Sequence, residues 1–197
     1  MGEQHATRSE PRVDVVVKVG GGLLKRAGGL DRVLEAITAA SRDRRLLVVP
    51  GGGPFADVVR AIDTQFHLSN DAAHWMAILA MDQYAHVLAE RLKGSAIIED
   101  PRALGMVLKA GHIPVLAPSR WMRAADPLPH SWDVTSDSIA AWVAGEVAAP
   151  RLVLIKPAGA AGADLVDAYF ARALPADVAW ECVRGDRMSS LQFYPAI

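Results

Sequence analysis

The sequence predicts an α/β protein, a three-layer α/β/α sandwich around a mainly parallel central sheet. Three observations predict it. Short β-branched runs alternate with helix-periodic stretches along most of the 197 residues. The runs are apolar at nearly every position, as strands buried on both faces are. Each helix between two strands then acts as a crossover, and such crossovers are right-handed.

The first strand is Val13-Asp14-Val15-Val16-Val17-Lys18-Val19, and three glycines follow it. Residues 30–41 carry Leu30, Val33, Leu34 and Ile37 at helical spacing. A second strand, Leu46-Leu47-Val48-Val49, also runs into three glycines, after Pro50. Pro54 suits a first helical position, and Phe55, Val58, Val59, Ile62 and Phe66 repeat behind it with period 3.6. A long helix follows from about Asn70 to Leu92, with Ser69 and Asn70 as cap candidates. Residues 96–98 and 113–116 read as strands, with a helix at 101–110 between them that ends at Gly111. Three prolines mark 118–132 as a loop. Residues 136–147 read as a helix and 152–155 as a strand that delivers Lys156. Beyond it come a turn at 159–162, a helix within 166–174 and a last strand at 178–183. The expected organisation is a disordered lead, residues 1–12, and a single domain, residues 13–197. No repeat or low-complexity tract interrupts it.

Composition narrows the function classes. Hydrophobic residues make up 51% and charged residues 22%, a globular balance. The formal net charge is −1 and no basic stripe is visible, so no nucleic-acid partner is expected. The lone cysteine, Cys182, has neither a disulfide partner nor zinc-site spacing. No apolar run reaches membrane-spanning length and the first residues lack a secretory h-region, so a cytoplasmic location is expected.

Four motifs carry chemistry. In Lys18-Val19-Gly20-Gly21-Gly22, glycines after a strand let backbone N–H groups approach phosphate oxygens, and Lys18 adds a mobile positive charge. In Pro50-Gly51-Gly52-Gly53-Pro54, the glycines open a helix N-terminus, whose dipole also favours an anion. Neither loop has the spacing of the GxxxxGK[ST] loop or of the dinucleotide fingerprint. Trp132-Asp133-Val134-Thr135-Ser136-Asp137-Ser138 crowds Asp, Ser and Thr at a helix start, more than capping requires. The fourth is Lys156 at a strand end.

Taken in order, these motifs resemble the amino acid kinase superfamily, which includes acetylglutamate, aspartate, uridylate and isopentenyl phosphate kinases. The match spans roughly residues 13–157. Val49-Pro50-Gly51-Gly52-Gly53-Pro54-Phe55-Ala56-Asp57, the helix His74-Trp75-Met76-Ala77-Ile78-Leu79-Ala80-Met81-Asp82-Gln83-Tyr84 and the Trp132 segment look like one branch in particular. That branch phosphorylates [5-(aminomethyl)furan-3-yl]methyl phosphate in methanofuran-type cofactor synthesis.

The resemblance implies a carbamate kinase-like fold, ATP with Mg2+ held through its phosphates, a small phosphorylated acceptor and a homo-oligomer. It implies an acceptor side within about 13–132 and a shortened nucleotide side within about 133–197. Lys18, Asp137 and Lys156 are the implied catalytic residues. Gly20, Gly21, Gly22, Lys25 and Ser136 would bind nucleotide phosphates, and no metal ligand is assigned. Gly51, Gly52, Gly53, His74, Asp82, Trp132 and Asp133 would face the acceptor, whose ammonium and furan suit acidic and aromatic walls. Trp75 is a further candidate there, and Asp63 a weaker one. The chain departs from the superfamily at Pro157-Ala158-Gly159-Ala160-Ala161-Gly162, where an Asp-Gly-Val-Tyr-like segment is usual. Nucleotide preference therefore stays open. So do another phosphomonoester or a carboxylate as acceptor, and a non-catalytic binding protein on the same fold.

Overall fold

A computed structural model describes residues 12–25, 28–159 and 165–187. The expected lead, apart from Arg12, and most of the expected turn at 159–162 lie outside the described residues. Six strands form one sheet: β1 (Val15–Val19), β2 (Leu46–Pro50), β3 (Ser95–Ile98), β4 (Ile113–Leu116), β5 (Arg151–Lys156) and β6 (Ala179–Arg184). Their order is β3-β4-β2-β1-β5-β6 and every pairing is parallel. The helices are α1 (Gly29–Ala40), α2 (Gly53–Phe66), α3 (Asn70–Arg91), α4 (Leu104–Lys109), α5 (Ser119–Ala125), α6 (Ser136–Glu146) and α7 (Phe170–Ala173).

Two-residue alternation divides the strands between two cores. Val15, Val17 and Val19 join Leu46, Val48, Val153 and Ile155 under α1, with Tyr84, Ala85 and Leu88 of α3. Val16, Leu47, Val49, Leu152 and Leu154 form the other face, under Ile139, Ala140 and Val143 of α6. α1 buries the four residues whose spacing predicts it, Leu30, Val33, Leu34 and Ile37. Each such side chain contributes about 1.5–3 kcal/mol of transfer free energy. α3 supplies both cores, since Ile78 and Met81 belong to the second, and the exposed polar residues Gln83, His86 and Glu90 lie on one side of its C-terminal half. Its first turn is capped by Ser69, whose hydroxyl accepts from the Ala72 amide at 3.2 Å.

Two expectations need correction. Residues 118–132 are not all loop, because α5 lies within them. Pro118 precedes that helix while Pro127 and Pro129 follow it, so the prolines bracket a run of good helix formers instead of breaking it. In the expected 166–174 helix only the single turn α7 forms. The α2 stripe is also less buried than its period suggests: Val59 is buried, but Val58 and Phe66 are 58% and 64% exposed.

The sheet order positions the site. From β1 the chain moves outward one way through β2, then returns on the other side as β5. A crevice outside the carboxyl ends of parallel strands opens where the order reverses. Both glycine loops and Lys156 sit at those ends.

Candidate active site

Strand geometry explains why the two lysines meet. In the β1–β5 register Lys18 stands opposite Leu154. Alternation then puts Lys18, Leu154 and Lys156 on one face, the face that α6 covers. The first turn of α6 carries Asp137 to them. Lys18 Nζ is 2.7 Å from Asp137 Oδ1, and Lys156 Nζ donates to Oδ2 at 2.5 Å. Lys18 and Asp137 are 4% and 3% exposed. Oδ1 receives no hydrogen bond of good geometry, so its contact with Lys18 is an ion pair.

Burial, opposed by Asp137 and aided by Lys156, pushes the Lys18 ammonium below its ordinary range. Burial alone would raise the Asp137 carboxyl, but the two ammonium groups hold it below its ordinary range. Two ammonium groups meet on one carboxylate, with Asp167 a further negative charge nearby, so each lysine keeps N–H donors for an arriving anionic oxygen.

Asp137 is held in place by a residue distant in sequence. The Asp167 carboxylate accepts from the Thr135 amide at 2.9 Å, the Thr135 hydroxyl at 2.7 Å and the Ser138 amide at 3.0 Å. It also accepts from the Ser138 hydroxyl. Asp167 thus caps α6 across the fold, which is why Thr135 makes no side-chain cap of its own.

The two glycine loops touch backbone to backbone. A Cβ on Gly21 would lie 2.1 Å from the Cα and N of Gly53, and Gly53 itself has φ +56. Two of the six glycine amides are already engaged: Gly20 donates to the Ile155 carbonyl and Gly51 to that of Val19, both at 2.8 Å. This narrows the expectation that all these glycines offer N–H groups to phosphate.

A cleft of about 190 Å³ opens beside this centre. Gly21, Gly22, Lys25, Gly52, Gly53, His74, Trp132 and Ser136 line it, as the sequence leads one to expect. Lys18, Asp137 and Lys156 are not part of its lining; Asp137 adjoins it through Ser136, and the two lysines reach it through their contacts with Asp137. Asp82 and Asp133 do not line it. Asp82 instead accepts from the Ser119 amide at 3.0 Å and caps α5, a helix not foreseen in the sequence. Asp133 is exposed, and its carbonyl accepts from the Tyr169 amide at 3.1 Å. Trp75 also lies outside the lining, while Asp63 supports it, accepting the Trp132 indole N–H at 2.7 Å.

The rim carries residues that sequence reading missed. Asp57 pairs with Lys25 at 2.6 Å and with Arg60 at 3.3 Å. The Arg60 guanidinium lies 4.9 Å from the centroid of the Trp132 ring. On an amphipathic helix such charges read as an ordinary solvated face. The proximity of Arg60 to the Gly51-Gly52-Gly53 loop was the available signal.

Residues 15–158 match the amino acid kinase family. Over 142 residues, 71% of the chain, the sequence is 34% identical to the [5-(aminomethyl)furan-3-yl]methyl phosphate kinase of Methanocaldococcus jannaschii. The chain spans about 63% of that relative's length. The fold is similar to uridylate kinase from Archaeoglobus fulgidus, with TM-score 0.57 and 18% identity over 73% of this chain and 62% of the other. It is equally similar to UMP kinase from Ureaplasma parvum, with TM-score 0.57 and 17% identity over 75% of this chain and 68% of the other.

Proposed function

We propose, since the chain belongs to the amino acid kinase family, that it transfers the γ-phosphoryl group of ATP to the phosphate of a small ester. The acceptor we favour is [5-(aminomethyl)furan-3-yl]methyl phosphate, on its likeness to the Methanocaldococcus jannaschii kinase. The observation that carries the reading is the convergence of Lys18 and Lys156 on Asp137, beside two touching glycine loops.

An oxygen of the acceptor phosphate attacks the γ-phosphorus, and the bond from that phosphorus to the β–γ bridging oxygen breaks. ADP and a diphosphate result. The attacking oxygen is already ionised near neutral pH, so the site needs no strong general base. Catalysis is then positioning and charge stabilisation by Lys18 and Lys156, with Asp137 fixing both ammonium groups. Among the described residues no three His, Cys, Asp or Glu stand together to hold an ion. Mg2+ would come with the phosphates of ATP, as the family likeness implies, and offset their charge.

Lys25 suits the nucleotide phosphates and Arg60 the acceptor phosphate, and Trp132 with His74 suits a flat ring. The acceptor side then comprises the elements up to about residue 132 and the nucleotide side those after it. Family likeness also leads us to expect a homo-oligomer, with the exposed Val58, Phe66 and Leu79 of α2 and α3 available for contact.

The test is ADP release with three acceptors side by side: the aminomethylfuran phosphate, a nucleoside monophosphate and an isoprenoid phosphate. Turnover confined to the first is the expected result. Turnover with another acceptor only would overturn the choice of acceptor, and ATP binding without turnover on all three would overturn the kinase reading.

A further inference from the structure

One side-chain cluster of the cleft wall has no part in the chemistry above. His130 lies in the segment between α5 and α6, two residues before Trp132. Its Nδ1 is 2.6 Å from Asp71 Oδ1 at the start of α3, and its Nε2 is 2.8 Å from Asp126 Oδ1 at the end of α5. A neutral imidazole has one donor nitrogen, so two carboxylate partners call for the doubly protonated ring. The His130 ring also stacks on His74, with centroids 4.2 Å apart and planes 19° apart. His74 is buried and lines the cleft.

We propose that His130 is a positioning residue of the acceptor cleft, an imidazolium staple that ties the wall formed by Ser131, Trp132 and Val134 to α3 and α5. This rests on the kinase reading only for the identity of the ligand. The groups facing the staple are Asp71 and His74 on α3 and Asp126 on α5. Trp75 of α3 meets the His130 ring edge-to-face, and the Arg123 guanidinium of α5 lies over the Trp75 ring at 4.5 Å. The two carboxylates raise the affinity of His130 for its proton, Asp71 first. Burial and then the charge on His130 push His74 down to about 4. At neutral pH a neutral His74 ring therefore faces the cleft, and the two carboxylates favour the cationic form of the His130 ring behind it.

Loss of the His130 proton removes one of the ring's two hydrogen bonds to carboxylate. The acceptor KM then rises while kcat at saturation, set by Lys18, Asp137 and Lys156, holds.

The test compares the wild type with His130→Gln and Asp126→Asn between about pH 6 and 9, the range around a raised histidine. Hydrogen exchange of residues 127–135 is followed in parallel with steady-state kinetics. Wild-type exchange accelerates as pH rises, beyond the intrinsic pH dependence, and both variants exchange fast throughout. The acceptor KM of each variant is about tenfold above wild type near pH 6, the worth of one charge-assisted hydrogen bond, and the gap closes toward pH 9. Comparison at equal pH cancels titration of the acceptor's own phosphate. Exchange that is equally slow in wild type and variants at every pH overturns the staple, whatever the activity. A pH-dependent exchange difference in a protein that turns over no acceptor supports the staple and sinks the kinase reading instead.

Discussion

Lys18, Asp137 and Lys156 were legible because each ends or begins an element, where the backbone leaves side chains facing a ligand. Asp167, Arg60 and His130 were not. Each acts through a partner at least 29 residues away or on the polar face of a helix, where no local pattern marks it. Asp82 shows the converse error, since its place on α3 suggested the acceptor and its use is to cap α5. The triad gives two separable expectations. In Lys18→Met, Asp137 keeps Lys156 as a partner and an unfavourably buried charge is removed. Turnover should fall about 100- to 1000-fold, as for loss of a group that stabilises transferred charge. Tm should shift by only about 2–4 °C, equivalent to ~1 kcal/mol in a chain of this size. Asp137→Ala strands the buried Lys18 ammonium and should cost about 3–5 kcal/mol as well as activity. Coupled ADP release and thermal melts separate the two, and equal destabilisation by both variants would count against the charge bookkeeping.

Elements were read well where period and punctuation agreed, as in α1 and β1, and poorly where prolines misled. α5 is bracketed by its prolines, and α7 is too short to leave a period. The touching glycine loops could not be foreseen in detail, because the contact joins turns that are adjacent only once β1 and β2 pair in parallel. That contact makes Gly21→Ala informative. Its Cβ must displace the Gly53 backbone, which is not the far end of a flexible side chain. A cost of about 1–3 kcal/mol in urea unfolding is expected, as for overpacking elsewhere, together with loss of turnover. Asp167→Ala leaves the amides of Thr135 and Ser138 without their cap and should cost about 1–2 kcal/mol. If kcat falls with it while ATP-independent acceptor binding is retained, Asp167 acts through the placing of Asp137. Unchanged kcat would confine Asp167 to stability.

At the scale of the whole molecule, the three-layer arrangement followed from strand and helix alternation, whereas the pairing of segments behind the cleft did not. Those pairings set the pH range in which the fold is most stable, and the two histidines limit it from opposite sides. His130 is raised in the folded protein, chiefly by Asp71. Its contribution is therefore complete below the unfolded histidine value and is lost as pH rises through its raised folded value. His74 is lowered from 6.5 to about 4, first by burial. Between those two values the unfolded chain binds a proton that the folded chain refuses, so stability falls as pH drops from 6.5 toward 4. The two effects leave a maximum near neutrality. Other groups titrate too, so the expectation rests on differences between variants. His130→Gln should flatten the alkaline side of the stability–pH curve and make the acid side shallower without abolishing it, because burial still lowers His74 when the charge on His130 is gone. His74→Gln should flatten the acid side, because it removes the ring that resists protonation. Urea midpoints at matched pH, with the slope m checked for constancy, measure both. A His74→Gln protein that loses stability on acidification as steeply as the wild type would show that the buried ring is not what limits the fold there.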